Sequence, residues 1–202
     1  KSEGGTIELA LRPVELGETQ ISMEFEAERL VITVATEHKA VLEPFEELAR
    51  KGFEVEILPA RPDGRFSPEQ FAEALRPETL LVSTMHVNNE TGVVQPLAEV
   101  AGLLAGHEAL WHVDAAQGYG KDLEPLGNRR IDMISVSGHK IYGPKGIGAL
   151  VIRKRDGRFP PLQPLLFGGG QEQGLRPGTL PVPLIVGLGE AAKLALRDHN
   201  QR

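Results

Sequence analysis

The chain of 202 residues contains no cysteine, which excludes disulfides and any thiol chemistry carried out by this chain alone. It has no apolar run long enough to cross a bilayer, and its opening residues are not expected to form a signal peptide. No membrane partner is expected, and the cytoplasm is the expected compartment. An excess of positive charge is lacking too. The formal net charge is -6, which argues against a nucleic-acid-binding surface as the main feature. His86, His107 and His199 show no ligand spacing with one another, so no metal is assigned. What remains is an ordinary globular composition, 41% apolar and 25% charged, in a chain able to bury a sizeable core.

From residue 31 onward the pattern repeats: strand, polar loop, helix. Val31 to Val34 reads as a short buried strand, and Thr36-Glu37-His38-Lys39 as the polar turn at its end. Residues 41 to 51 form a helical pattern with Val41, Leu42, Phe45, Leu48 and Ala49 on the apolar face, stopped by Gly52. Phe53 to Leu58 returns as a strand. Ser67-Pro68-Glu69-Gln70 is a capping box with proline at the first helical position, so a helix is predicted from 68 to about 75. Leu80 to Met85 and Ala109 to Val113 are strands, with a helix from about 97 to 105 between them. Further strands are read at Ile131 to Val136 and Gly148 to Ile152. This order predicts an α/β fold, a mostly parallel sheet sandwiched by helices. Residues 148 to 152 are the expected antiparallel member. Before residue 31 the pattern defines less: Ile21, Met23 and Phe25 alternate with polar neighbours, as in a half-exposed strand.

In such a sheet, ligands bind beyond the carboxyl ends of the strands. His38, Asn89, Asp114 and Lys140 all follow such ends and can converge. Lys140 stands in the stretch Ser137-Gly138-His139-Lys140-Ile141-Tyr142-Gly143-Pro144, whose glycines and proline specify a tight backbone path. By itself it has two readings. One is a surface lysine after a strand; the other is an amine partly desolvated in a cleft, able to form a Schiff base with a carbonyl compound. The remaining positions are equally open when taken singly. Asp114 fits a strand-end turn cap, His38 a helix-start hydrogen bonder, His112 an outward-facing strand residue and Asn88-Asn89 a turn.

The segment 168 to 179 is too glycine-rich for a core element. It reads as a surface loop or as a loop that contacts an anion or another subunit. A helix from about 183 to 197 follows, with Leu184, Ile185, Leu188, Ala191, Ala192 and Ala195 as its predicted buried stripe and Gly187 and Gly189 as weak points.

Taken together and in order, several stretches resemble the cysteine desulfurases, in the class V branch of the fold-type I pyridoxal-phosphate enzymes. They are Thr36-Glu37-His38, Val87-Asn88-Asn89-Glu90, His112-Val113-Asp114-Ala115-Ala116-Gln117, Ser137-Gly138-His139-Lys140, and Gly168-Gly169-Gly170 through Gly178-Thr179. The resemblance covers roughly residues 31 to 197. It implies pyridoxal 5'-phosphate as cofactor, with Lys140 forming the Schiff base, Asp114 holding the protonated pyridine nitrogen and His38 stacking on the ring. It further implies that Asn89 and Gln117 bond around the ring oxygen, and that Ser137 and His139 contact the phosphate. Thr179 would reach the phosphate of the other subunit in a two-fold homodimer. Gly4-Gly5-Thr6 resembles the family's phosphate-binding turn, which adds Thr6 to the cofactor contacts.

The implied organisation is an amino-terminal segment, 1–30, followed by a large cofactor-binding domain, 31–202. The family's small carboxy-terminal domain, its substrate-carboxylate arginine and its loop with the nucleophilic cysteine have no counterpart in these residues. Gln171 stands where many relatives have histidine. The implied activity of the intact enzyme is removal of sulfur from L-cysteine to give L-alanine and an enzyme persulfide, with a sulfur-acceptor or iron-sulfur scaffold protein as partner. A selenocysteine lyase, a class V aminotransferase and an inactive cofactor-binding or scaffold domain are the alternatives.

Overall fold

The structure, a computed structural model, describes residues 5–11, 19–25 and 30–199, the first two segments by their backbone course alone. Five parallel strands and one antiparallel strand make the main sheet. They are β3 (Leu30–Val34), β4 (Glu54–Leu58), β5 (Thr79–Met85), β6 (Leu110–Asp114), β7 (Met133–Ser137) and β8 (Gly148–Ile152). Their order across the sheet is β4-β3-β5-β6-β7-β8, and β8 alone runs antiparallel. The predicted α/β class and the antiparallel place of 148–152 are therefore observed. A second, antiparallel sheet joins β1 (Gly5–Leu11), β2 (Thr19–Phe25) and the short β9 (Gln163–Pro164) in the order β1-β2-β9. A strand is thus present where Ile21, Met23 and Phe25 alternate; the exposure of their side chains lies outside the described residues.

Apolar side chains dominate both faces of the main sheet, which is why β3 reads as a continuous hydrophobic run rather than an alternating one. On one face Leu30, Ile32, Val82, Trp111, Val113 and Ile134 pack with Phe71 of α2 (Pro68–Ala74) and with Leu97, Val100 and Ala101 of α3 (Leu97–Leu103). On the other, Val31, Leu81 and Met133 pack with Val41, Phe45 and Leu48 of α1 (Lys39–Arg50). The predicted cap of α2 is present: the Gln70 N–H donates to the Ser67 hydroxyl at 3.3 Å, and Pro68 opens the helix. Trp111 is fully buried and satisfies its indole N–H on Thr84 Oγ1 at 2.9 Å.

The last helix, α4 (Val182–His199), departs from expectation. Only Ala191 of its predicted stripe is buried; Leu184, Leu188, Ala192 and Ala195 are half-buried and Ile185 is exposed. Its small residues meet the loop that carries Lys140, and an added Cβ at Gly187 would stand 2.5 Å from Pro144 Cγ. Gly187 is thus a point of close approach rather than a weakness. Val182, Val186 and Leu196 remain exposed, because no described part of this chain covers that side.

At the amino ends of β6 and β7, Asp132 gathers a charged cluster. It accepts from the Trp111 N–H at 2.8 Å and from Arg130 at 2.9 Å, and it also pairs with Arg155. The same arginines donate to carbonyls of Leu104 and Ala109, so the buried charges are hydrogen-bonded as well as paired. Replacing Asp132 with alanine would strand two guanidinium groups and a backbone donor. Stability should fall by about 3–5 kcal/mol, read as a lower denaturant midpoint with an unchanged slope.

Candidate active site

Parallel pairing of β3, β5, β6 and β7 as consecutive neighbours puts their carboxyl ends on one edge of the sheet. Each exit delivers functional side chains. After β3 come Glu37 and His38; after β5, His86, Asn88 and Asn89; at the end of β6, Asp114; after β7, Ser137, His139 and Lys140. The expected convergence of His38, Asn89, Asp114 and Lys140 on one edge follows directly from this topology.

Asp114 is the buried acid of the group. It accepts from the Ala116 N–H at 2.9 Å. Burial pushes its carboxyl above the usual range, while the Ala116 bond and the nearby His38 pull it back. His38 caps α1 by accepting from the Ala40 N–H at 3.1 Å, so the helix-start role is real. Its half-buried ring remains beside the Asp114 field.

Lys140 lies in a 3-10 turn, Gly138–Ile141, that begins where β7 stops. A Cβ at Gly138 would come within 2.7 Å of the Ile147 carbonyl oxygen, so only glycine allows the chain to fold this tightly. Lys140 is half-buried. Beside it Ser137 Oγ and His139 Nδ1 lie 3.0 Å apart, a pair of polar groups at the same exit.

Asn89 and Gln117 engage neighbours close in sequence. Asn89 is half-buried and donates to Glu90 at 2.8 Å; Gln117 is half-buried and accepts from Lys121 Nζ at 3.1 Å. Thr179 is exposed on the glycine-rich loop ahead of α4 and belongs to none of the four exits. In that loop Gln171 accepts from the Gly178 N–H at 3.0 Å. Thr6 lies in β1, paired with Glu24 in the second sheet rather than in a turn that opens a helix. Its side chain lies outside the described residues, as does Gly4.

Three residues to which the sequence assigns no site role of their own shape the site. Asn88, rather than its neighbour, ties the loops together: it donates to the Thr36 carbonyl at 2.8 Å and accepts from the Glu90 and Thr91 N–H groups at 2.9 and 2.8 Å. Gln95 donates to Thr36 Oγ1 at 3.4 Å. Glu37 is buried with no partner for either carboxylate oxygen among the described residues. The Asn-Asn pair between a strand and a polar run is the legible signal for the first, and Glu37 stands in the Thr36-Glu37-His38 stretch; nothing local marks Gln95.

His112 does not face outward. It is fully buried on β6, with Nδ1 2.8 Å from Ser83 Oγ and Nε2 2.7 Å from Ser135 Oγ. The hydroxyls on the flanking strands turn an apolar face into a short polar row two residues below Asp114. A neutral imidazole donates to one serine and accepts from the other.

The aminotransferase class-V family profile matches residues 3–200. The chain belongs to this family. Within it the similarity is to cysteine desulfurases: the mitochondrial cysteine desulfurase of Eremothecium gossypii is 52% identical over 170 residues, covering 84% of this chain and 34% of that protein. Among solved structures, DndA from Streptomyces lividans shares 61% identity with a TM-score of 0.83, over 86% of this chain and 49% of that one. A structure described as SspA in complex with cysteine shares 48% identity with a TM-score of 0.74, over 81% and 47%. The chain thus spans about a third of that curated relative and about half of the solved ones. Family membership implies pyridoxal 5'-phosphate as cofactor. The donor set fits it: an amine, a buried carboxyl, an imidazole and a serine–histidine pair open onto one sheet edge.

Burial holds the His112 pKa at about 4, against roughly 6.5 in an unfolded chain. Its folded pKa is depressed, so its contribution is fully present above about pH 6.5 and is lost as pH falls through about 4. The loss should be on the order of 3 kcal/mol. Denaturation of the protein and of a His112→Asn variant between pH 7 and 4 checks this, and the variant should lack this component of the pH slope.

Proposed function

We propose that this chain is the cofactor-binding part of a pyridoxal-phosphate-dependent cysteine desulfurase. The observation that carries the reading is the delivery of His38, Asn89, Asp114 and Lys140 by four adjacent parallel strands, β3, β5, β6 and β7, to one edge, with Ser137 beside Lys140. Lys140 is the amine that would hold the cofactor covalently, Asp114 the carboxylate for its pyridine nitrogen, His38 the stacking ring, and Ser137 with His139 the phosphate donors. Asn89 and Gln117 would lie at the ring's rim, and Thr6 and Thr179 are proposed as outer phosphate contacts, Thr179 toward a second subunit. When bound, the cofactor supplies an electron sink for negative charge developing at a substrate α carbon.

The chain's own residues then have defined tasks. Asp114 keeps a negative charge in a dry place, where it acts most strongly on a cation. Lys140 would also be the group that takes the proton from the substrate α carbon. L-cysteine is the proposed substrate and L-alanine the product. The acceptor of the sulfur is a thiol outside these residues, since the chain has no cysteine, with a sulfur-acceptor or iron-sulfur scaffold protein as the onward partner. Such thiol transfer calls for a reducing compartment, the reason to propose the cytoplasm.

Borohydride reduction of the cofactor-loaded protein followed by proteolysis and mass mapping tests the assignment. The pyridoxyl group should be found on Lys140 and should vanish in Lys140→Ala; a label on another lysine would reject it. Asp114→Ala should retain some cofactor while the rate of alanine release from L-cysteine, measured with an added thiol as sulfur acceptor, falls about 10²-fold, the usual effect of removing one electrostatic stabiliser.

A homodimer is proposed as the assembly. The exposed Val182, Val186 and Leu196 of α4, together with Phe167 in the preceding loop, offer apolar surface that a second subunit would cover. Sedimentation of the cofactor-loaded protein should report a dimer, and a monomer with full cofactor occupancy would reject the shared site.

A further inference from the structure

Glu37 stands at the exit of β3, between the main sheet and His38, and is 6% exposed. Neither of its carboxylate oxygens has a hydrogen-bond partner among the described residues. A carboxyl group removed from water without a partner is expensive, and buried polar groups in native proteins are nearly always bonded. Nor is the side chain there by looseness of the loop. The Glu37 N–H donates to the Val34 carbonyl at 3.1 Å, and the preceding Thr36 is held at its carbonyl by Asn88 and at its hydroxyl by Gln95. Two backbone contacts and one to the neighbouring Thr36 side chain therefore hold the segment that carries Glu37 inward.

The charged group that acts on Glu37 is Asp114, and Asp114 in turn feels His38. Burial first, and the neighbouring Asp114 second, hold the Glu37 carboxyl well above the usual carboxylate range. Two carboxyl groups in one dry crevice do not both ionise, and their protons are shared unequally. Asp114 has a backbone N–H on one oxygen and an imidazole in its field, both of which favour its anion; Glu37 has neither. These contacts favour the proton on Glu37 over Asp114, and a protonated carboxyl is a hydrogen-bond donor.

We propose that Glu37 is a positioning residue of the cofactor crevice, buried as a neutral acid whose O–H reaches the Asp114 carboxylate through one water, and so keeps Asp114 the anion of the pair. The inference rests on the cofactor-binding reading above. It accounts for both features of Glu37, its fixed inward backbone and its orphaned oxygens, and it gives Asp114 a second donor. An O–H donated to a carboxylate is among the stronger hydrogen bonds available to a protein. It would offset the burial that works against the charge of Asp114.

Two measurements test it. The first needs no cofactor: the infrared difference spectrum between the protein and its Glu37→Gln variant at neutral pH should contain the carbonyl stretch of a protonated carboxylic acid. Carboxylate bands alone would overturn the proposal. The second titrates pyridoxal phosphate into the protein, Glu37→Gln and Glu37→Leu, following the absorption band of the bound cofactor. Glutamine retains a neutral donor and should bind within about threefold of the parent, with the same band. Leucine removes the donor and should weaken binding by about tenfold or more and shift the band, as expected for losing a buried hydrogen bond to a charged group. Leucine and parent proteins with equal affinity and identical bands would overturn the proposal even if leucine lowered stability, because a purely structural role moves stability alone. Failure of the parent itself to bind cofactor would overturn the cofactor reading instead, and the infrared measurement would still decide where the proton is.

Discussion

Parallel strand pairing is the constraint on which the site depends. A strand that runs parallel to its neighbour must be reached by a crossover, and each crossover returns the chain to the same starting edge. Every strand of the series β3, β5, β6, β7 therefore ends on the opposite, common edge, and residues separated by about a hundred positions meet there. No single loop needs to be long. The helices fill both faces, so among the described residues buried polar side chains gather at the two ends of the strands and in the layer just beneath them.

That layer is where the protein departs from the cheapest packing. Apolar residues of the size of Ser83, His112 and Ser135 would satisfy the sheet without any desolvation cost. Instead a histidine is buried between two hydroxyls that match both its ring nitrogens. At the other end of the same strand, Asp132 ties β6 to Arg130 and Arg155. The strand that ends in Asp114 is thus held by side-chain hydrogen bonds near both of its ends, in addition to its ladder. Such doubled fixing makes sense for an element whose last side chain must sit at a defined place.

Much of this could be seen in the residues alone. The strands after residue 30, the capping of α2, the antiparallel β8 and the polar strand exits follow from apolar runs, a Ser-Pro start and glycine stops, all of which are local signals. What could not be read depends on neighbours distant in sequence. Whether His112 points inward is decided by serines on β5 and β7. Gly187 looks like a helix defect until Pro144 is placed against it. Asn88 and Asn89 are equivalent as letters, and only the position of Thr36 gives the first the structural role. The stripe of α4 was readable as apolar, but its covering surface is not in the described chain. Thr6 sits in a motif that suggests a turn, whereas the backbone pairs it in a strand.

The two outer strands of the main sheet are unlike each other. β4 carries Glu54 and Glu56, with Glu54 paired to Arg76 at the end of the neighbouring crossover, whereas β8 is built from Gly148, Ala149, Leu150, Val151 and Ile152 without a charge. Adding another strand beside β4 would press two carboxylates and an engaged guanidinium against foreign backbone, a known deterrent to edge-to-edge growth. The sheet is therefore guarded against polymerising on the β4 side by acid side chains that take no part in the chemistry, and a protein engineer who neutralised them to improve crystallisation would be removing a safeguard against aggregation.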